Sequence, residues 1–210
     1  MNNDKALDFF AKFAKYNGAV PSFHAKNMRI EYDVEMILRY ADSATILCDL
    51  ASGPGVTVSR VADSVKRAVA VEPFKEYTDQ IPCKDNLQIV NATIENFESH
   101  ELFDLITFFG IAHYFNTEEI IPIYKKCFRL LKDRGKLIVK NQFGTENDVV
   151  VDNFSQEIGA NYCSEYRHLP KEVSLLTSVG FVDIDVIDIY PPECNPWSNT
   201  HYYALVARHP

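Results

Sequence analysis

Asp49 is followed within six residues by Gly53 and Gly55, in the run "TILCDLASGPGVTV" (45–58). An apolar, strand-like run that ends on an acid and opens into a glycine turn has the layout of a ligand-binding strand end. Glycine lets backbone N–H groups approach a ligand closely and tolerates positive φ. Glu72 closes the next strand-like run, "AVAVE", and an acid there suits the two hydroxyls of a ribose. Asp49 would repel a pyrophosphate and suits a cationic or ammonium-bearing ligand. Val58 stands where G-x-G-x-x-G needs its third glycine, which tells against nicotinamide and flavin dinucleotides. No G-K-[ST] follows, so nucleoside triphosphate hydrolysis is unsupported. The plainer alternative is an ordinary strand-to-helix turn.

Further candidates lie downstream. His113 follows the strand-like "FDLITFF" in "GIAHYF"; an imidazole titrating near neutrality suits a general base, or else it packs a pocket or caps the next helix. Tyr114 is its neighbour. Lys140, Asn141 and Gln142 stand in a row where a strand ends, an arrangement suited to substrate hydrogen bonds or to a solvated exit. Arg167 could pair with an anionic acceptor, with His168 beside it. The loop "PPECNPWSNTH" brings Trp197, Asn199 and His201 together; rings beside amides suit a sugar or another flat polar molecule, and a pinned loop is the alternative.

The elements needed to position these groups follow from periodicity. "ATILCDL", "AVAVE", "LQIV", "FDLITFF" and "KLIVKNQF" read as strands. Between them "VSRVADSVKR" places Val58, Val61 and Val65 at helical spacing, and "FKEYTDQI" reads as a short helix. "NTEEIIPIYKKCFRLLKDRG" predicts a helix capped by Asn116 or Thr117 and ended by Gly135. "LPKEVSLLTSVGF" predicts another, closed by Gly180. "VDIDVIDIY" and "YYALVARH" have no helix between them and form a hairpin. The pattern predicts an α/β fold: a doubly wound, mostly parallel seven-stranded sheet, Rossmann-like, with a C-terminal antiparallel hairpin and an N-terminal helical cap. One domain is expected: a cap over 1–42, a ligand-binding core over 43–142, and a substrate-side insertion, last helix and hairpin over 143–210. Residues 145–168 are long for a connector, carry Phe154, Tyr162 and Tyr166, and read as a lid or substrate wall. The cap offers Leu7, Phe10, Phe13 and Ala14 on one helix face, with Tyr16, Arg29 and Tyr32 as residues that could close the site.

Composition narrows the function classes. A net charge of −8 over 210 residues argues against a nucleic-acid partner. No apolar run approaches a membrane span, and the N-terminus lacks a secretory pattern. Five scattered cysteines without a C-x-x-C pair fit reduced thiols in a cytoplasm and give no metal site.

Taken in order, five segments resemble the motifs of class I S-adenosylmethionine-dependent methyltransferases: "DLASGPG" (49–55), "VAVEP" (69–73), "IVNATIENF" (89–97), "FDLITFFGIAHYF" (103–115) and "LLKDRGKLIV" (130–139). The similarity spans roughly residues 44–210. It implies S-adenosyl-L-methionine as cofactor, with Asp49, Ala51, Ser52, Gly53 and Gly55 at its methionine part and Glu72 at the ribose. Pro73 and Phe74, Thr93 (by hydroxyl) and Ile94 (by backbone N–H) would lie at the adenine, and Phe109 and Gly110 elsewhere along the cofactor. Ala51 departs from the glycine common there. The implied activity is methyl transfer to a small polar acceptor, an oxygen of a sugar or nucleotide-linked metabolite, with His113 as base and Tyr114, Lys140, Asn141, Gln142, Arg167, His168, Trp197 and His201 at the acceptor. A homodimer is compatible with this reading. The competing readings are a non-catalytic S-adenosylmethionine-binding module and an NAD-dependent oxidoreductase.

Overall fold

The computed structural model describes residues 3–16, 29–156 and 158–210. Parallel strands β1 (Ile46–Leu50), β2 (Arg67–Val71), β3 (Leu87–Val90), β4 (Phe103–Phe109) and β5 (Leu131–Gly144) are joined by β8 (Val182–Asp188) and β9 (Thr200–Arg208) in one sheet of order β3-β2-β1-β4-β5-β9-β8. β9 runs antiparallel to both β5 and β8, as the expected hairpin requires. The central strands read as unbroken apolar runs because both faces are covered. Leu47, Ala68, Ala70, Leu105 and Ile138 point to α2 (Arg29–Leu38) and α3 (Val56–Ala62). Cys48, Leu50, Val69, Ile106 and Val139 point the other way, to α5 (Thr117–Leu130) and α6 (Leu169–Val179).

Local sequence signals and structure agree where a cap exists. Asn116 accepts from the N–H groups of Glu118 and Glu119 while the Glu119 carboxylate accepts from the Asn116 N–H, a full capping box at the start of α5. Gly180 ends α6 in the left-handed region at φ 119°. Two expected helix ends move. α3 stops at Ala62 although its pattern runs on to Val65, because β2 begins at Arg67 and the chain must turn; Val65 still reaches the core. α5 stops at Leu130, and Gly135 does not cap it: Arg134 makes the left-handed turn at φ 63°, while a Cβ on Gly135 would lie 2.9 Å from the Lys132 carbonyl oxygen. The short helix α4 is a single turn, Lys75–Thr78.

Residues 145–168, expected as a connector and lid or wall, fold into a separate two-stranded antiparallel sheet of β6 (Val149–Ser155) and β7 (Ala160–Tyr166). Helix α1 (Asn3–Tyr16) packs on it, the Phe9 ring lying 5.4 Å from Tyr162, whereas α2 belongs to the main core. The side chain of Tyr16 lies outside the described residues.

Candidate functional site

The sheet order reverses between β1 and β4, so the crevice where open parallel sheets bind ligands lies at their carboxyl ends. Both acids from the sequence reading are there. Asp49 is buried and accepts a 2.6 Å hydrogen bond from the Thr107 hydroxyl on β4. Burial pushes its carboxyl up to about 6, with the Thr107 bond pulling back. Glu72, only 3% exposed, accepts from the Gly53 N–H at 2.9 Å and from the Phe74 N–H at 3.1 Å. Burial is again the largest cause that raises it, to about 7.

The turn between them is strained in a useful way. Ala51 holds φ 59°, Gly53 φ 55° and Gly55 φ 70°, and the Ser52 hydroxyl donates to the Asp49 carbonyl at 2.8 Å. A Cβ on Gly53 would meet nothing within 4 Å, whereas one on Gly55 would lie 2.7 Å from an Ile81 methylene carbon. The two glycines therefore separate by experiment. Gly55→Ala is expected to cost about 2 kcal/mol or more in urea unfolding, from a disfavoured backbone plus overpacking. Gly53→Ala should cost only about 1 kcal/mol while obstructing the ligand side of the turn. Equal losses of stability would refute the assignment of Gly53 to the crevice.

The adenine-side residues are partly corrected. Phe74 is half-buried, N-terminal to α4, with its ring edge-on to Tyr77 at 6.1 Å, so it is not a core residue. Pro73 is held through its carbonyl by Asn91, whose amide also bonds the Glu72 carbonyl at 3.0 Å. The Thr93 hydroxyl is engaged locally, accepting from the Asn96 N–H at 3.3 Å. Ile94 buries its side chain in the core. Sequence reasoning missed Asn91, Tyr77 (pushed up to about 12 by burial and the Glu72 charge) and Lys126, whose ammonium reaches from α5 to the carbonyls of Ile94, Glu95 and Phe97. Only Asn91 carried a signal, as a polar residue closing β3.

β5 divides the second half of the site. Lys140 points to the α2 side, with its ammonium 2.9 Å from Asp33, 3.0 Å from the Tyr190 hydroxyl and 4.9 Å from the centre of the Phe109 ring. Gly110 donates its N–H to the Lys140 carbonyl at 2.7 Å. Asn141 points to the opposite face and accepts from His113 Nδ1 at 2.6 Å, its amide nitrogen donating to the Gln142 carbonyl. That pairing leaves Nδ1 protonated and gives His113 Nε2 the free lone pair. His113 is buried, and desolvation lowers it to about 4 despite the Asn141 bond. Its ring lies 4.0 Å from Tyr114 and 5.0 Å from Tyr166.

Several expected acceptor residues are committed elsewhere. Arg167 is fully buried: it bonds Glu172 and the carbonyls of Phe115 (2.6 Å) and Ala112 (2.7 Å), so no anion reaches it. Burial pulls the guanidinium down, but the Glu172 charge and hydrogen bond, with Tyr124 and Glu165 behind them, together push it up. Gln142 donates to the Thr200 hydroxyl at 2.5 Å, and His201 pairs with Asp188 at 2.8 Å on the β8 edge. His168 is the residue before α6, its N–H bonded to Asp148. Trp197 is 49% exposed, 6.5 Å from Tyr202, so it neither pins its loop nor joins His113. Arg29 stacks 4.5 Å over Tyr202 and donates to the Cys194 carbonyl, and Tyr32 packs on Tyr190. No helix among the described residues is long and apolar enough to cross a membrane, and no trio of His, Cys, Asp or Glu among them could hold a metal.

Known proteins with this geometry share the fold throughout. No curated protein sequence matches the chain. A 1,6-didemethyltoxoflavin-N1-methyltransferase from Burkholderia thailandensis, solved with 1,6-didemethyltoxoflavin and S-adenosylhomocysteine, superposes with TM-score 0.78 at 13% identity, over 100% of this chain and 91% of that one. The N-methyltransferase NodS of Bradyrhizobium japonicum WM9, bound to S-adenosylhomocysteine, gives 0.68 at 13% identity over 97% and 98%. A SAM-dependent methyltransferase from Leishmania major gives 0.71 at 14% identity over 94% and 81%. Residues 47–135 match the family described as a methyltransferase domain. The chain therefore has the fold of class I S-adenosylmethionine-dependent methyltransferases, and its residues 47–135 are similar to the methyltransferase-domain family.

Proposed function

We propose that this protein is an S-adenosylmethionine-dependent methyltransferase acting on a hydroxyl oxygen of a small polar acceptor, a sugar or a nucleotide-linked metabolite. The observation that carries the cofactor is the buried Glu72 carboxylate facing the glycine turn with Asp49 on the adjacent strand. The donor set fits: Glu72 can accept from two ribose hydroxyls, Asp49 can face an ammonium, and the space over Gly53 is open. When bound, the cofactor supplies a methyl group on a positively charged sulfur. The protein's own work is to align the acceptor, exclude water and take up a proton. His113 Nε2 suits the last task. It is unprotonated at any pH well above 4, and an oxygen gaining a methyl group becomes acidic enough to give its proton to a weak base.

Calorimetry with S-adenosylmethionine, S-adenosylhomocysteine and NAD tests this reading; a preference for NAD would overturn it. Nitrogen is the second choice of acceptor atom, favoured because two structural neighbours are N-methyltransferases. The carbon chemical shift of the transferred methyl decides between them. Binding without transfer to any acceptor would favour a regulatory module.

The raised acids give the cofactor affinity a pH dependence. Glu72 ionises near 7 and Asp49 near 6, and hydroxyl and ammonium donors bond best to carboxylates. As pH rises toward 7, Kd should fall, by up to about tenfold per unit between about 6 and 7 and more steeply below that, and it should level off above about 7. The unliganded protein should show the opposite trend in stability. Glu72 holds its proton in the folded state up to about pH 7 but loses it near 4.5 once unfolded, so stability declines as pH rises through that window. Glu72→Gln should remove the upper step of both curves. A pH-independent Kd in the wild type would reject Glu72 as a ribose ligand.

A further inference from the structure

We infer that the face of β7 turned toward His113 is the acceptor subsite and that it takes an uncharged, hydroxyl-bearing ring, a pyranose-type sugar. The assignment rests on the methyl-transfer reading above and names residues that reading does not use. Tyr162, Ser164 and Tyr166 alternate along β7 and share one face. Tyr166 lies against the His113 ring, and its hydroxyl is 3.1 Å from that of Tyr162, which is 3.5 Å from the Tyr114 hydroxyl. Between the two β7 tyrosines, Ser164 Oγ is fully buried, with no hydrogen-bond partner within 3.5 Å among the described residues and with the Tyr166 phenol as its polar neighbour. A buried hydroxyl left unsatisfied is destabilising, and a ligand hydroxyl arriving beside it relieves that cost.

The chemistry of this face is neutral. Burial raises the Tyr114 and Tyr166 phenols, so they stay protonated and can both donate and accept. The nearby cations are already matched, Arg167 by Glu172 and Lys140 by Asp33. A phosphate or carboxylate thus finds no unmatched cation there among the described residues, and an amine finds both of those carboxylates taken. Ring faces to cover C–H surfaces, with hydroxyls at their edges, complement a sugar. Phe9 and Phe10 of α1 cover the outer side, at 5.4 Å from Tyr162 and 4.9 Å from Tyr114, so α1 is the element past which an acceptor enters.

Saturation-transfer NMR on the full chain with S-adenosylhomocysteine tests the assignment. The probes are a panel of methyl hexosides and deoxyhexosides, a linear oligosaccharide, a hexose phosphate and an arylamine. The expected result is saturation of ring C–H protons in a neutral glycoside or at the oligosaccharide end, the two arms separating a free sugar from a glycan terminus. For the neutral sugar that responds, Tyr166→Phe and Tyr162→Phe should each raise KM about three- to tenfold, the range for one neutral hydrogen bond, with S-adenosylhomocysteine affinity unchanged. Response by the hexose phosphate or the arylamine alone, or unchanged KM in both variants, overturns the subsite. Failure of the wild type to bind S-adenosylhomocysteine overturns the methyl-transfer reading instead.

Discussion

His113→Ala lowers turnover by about 10²- to 10⁴-fold, the usual worth of a positioned general base, and leaves cofactor affinity within about twofold. The ring is bonded to Asn141 on β5 and is not a neighbour of Glu72 or of the glycine turn, so removing it strips proton uptake and spares the cofactor cleft. Its burial sets the pH signature. A free imidazole would give an acid limb near 6.5; with His113 lowered to about 4, the rate of the proton-dependent step should hold down to about pH 5 once cofactor is saturating. Asn141→Asp puts a carboxylate where the amide oxygen now is, favours the imidazolium, and should move that limb upward by more than one pH unit. Turnover of His113→Ala equal to wild type, with wild-type folding by circular dichroism, would remove His113 from the chemistry.

Arg167→Met should cost about 3–5 kcal/mol in urea unfolding. The cost of breaking a buried ion pair comes from the partner left charged and unpaired, and here Glu172 is fully buried with only Tyr124 as its other neighbour in the pair's hydrogen-bond network. The Phe115 carbonyl loses its Arg167 donor as well, and the Ala112 carbonyl keeps only the Phe115 N–H. Replacing both partners, Arg167→Met with Glu172→Leu, should recover much of the loss, because well-packed apolar groups have no such penalty. A double variant no more stable than the single one would show that the bonds to the 112–115 turn, rather than the charge pair, dominate.

The contrast between His113 and Arg167 shows which positions local sequence determines. Asp49 and Glu72 were legible because a strand end followed by a glycine turn fixes where an acid points whatever the rest of the chain does. The placement of His113 just past the end of β4 was legible by the same rule, one strand over. Arg167 was misplaced because nothing local distinguishes a guanidinium facing solvent from one facing Glu172 five residues on; only the packing of α6 against α5 decides it. His201 failed for a related reason: alternation along β9 puts it on the same face as Tyr203 and Asn141, but its ring is tied to Asp188 of β8, and nothing local in the sequence shows that cross-strand pairing. The hairpin of β6 and β7 was seen as a long insertion with aromatic residues, but its pairing is non-local to the sheet and leaves no period that marks it as a second sheet.

The placement of β9 has a consequence for how a newly made chain reaches this form. β9 lies between β5 and β8 and pairs with β5 over nine positions, from Lys136 opposite Arg208 to Gly144 opposite Thr200. While the ribosome is still delivering residues before Thr200, β8 has no neighbour to join and the whole flank of β5 is bare, a long unpaired edge of the kind that sticks to other chains. The half of the sheet built from β1 to β4 can be finished by then. The strand that carries Asn141 is completed last, when Tyr203 docks opposite it.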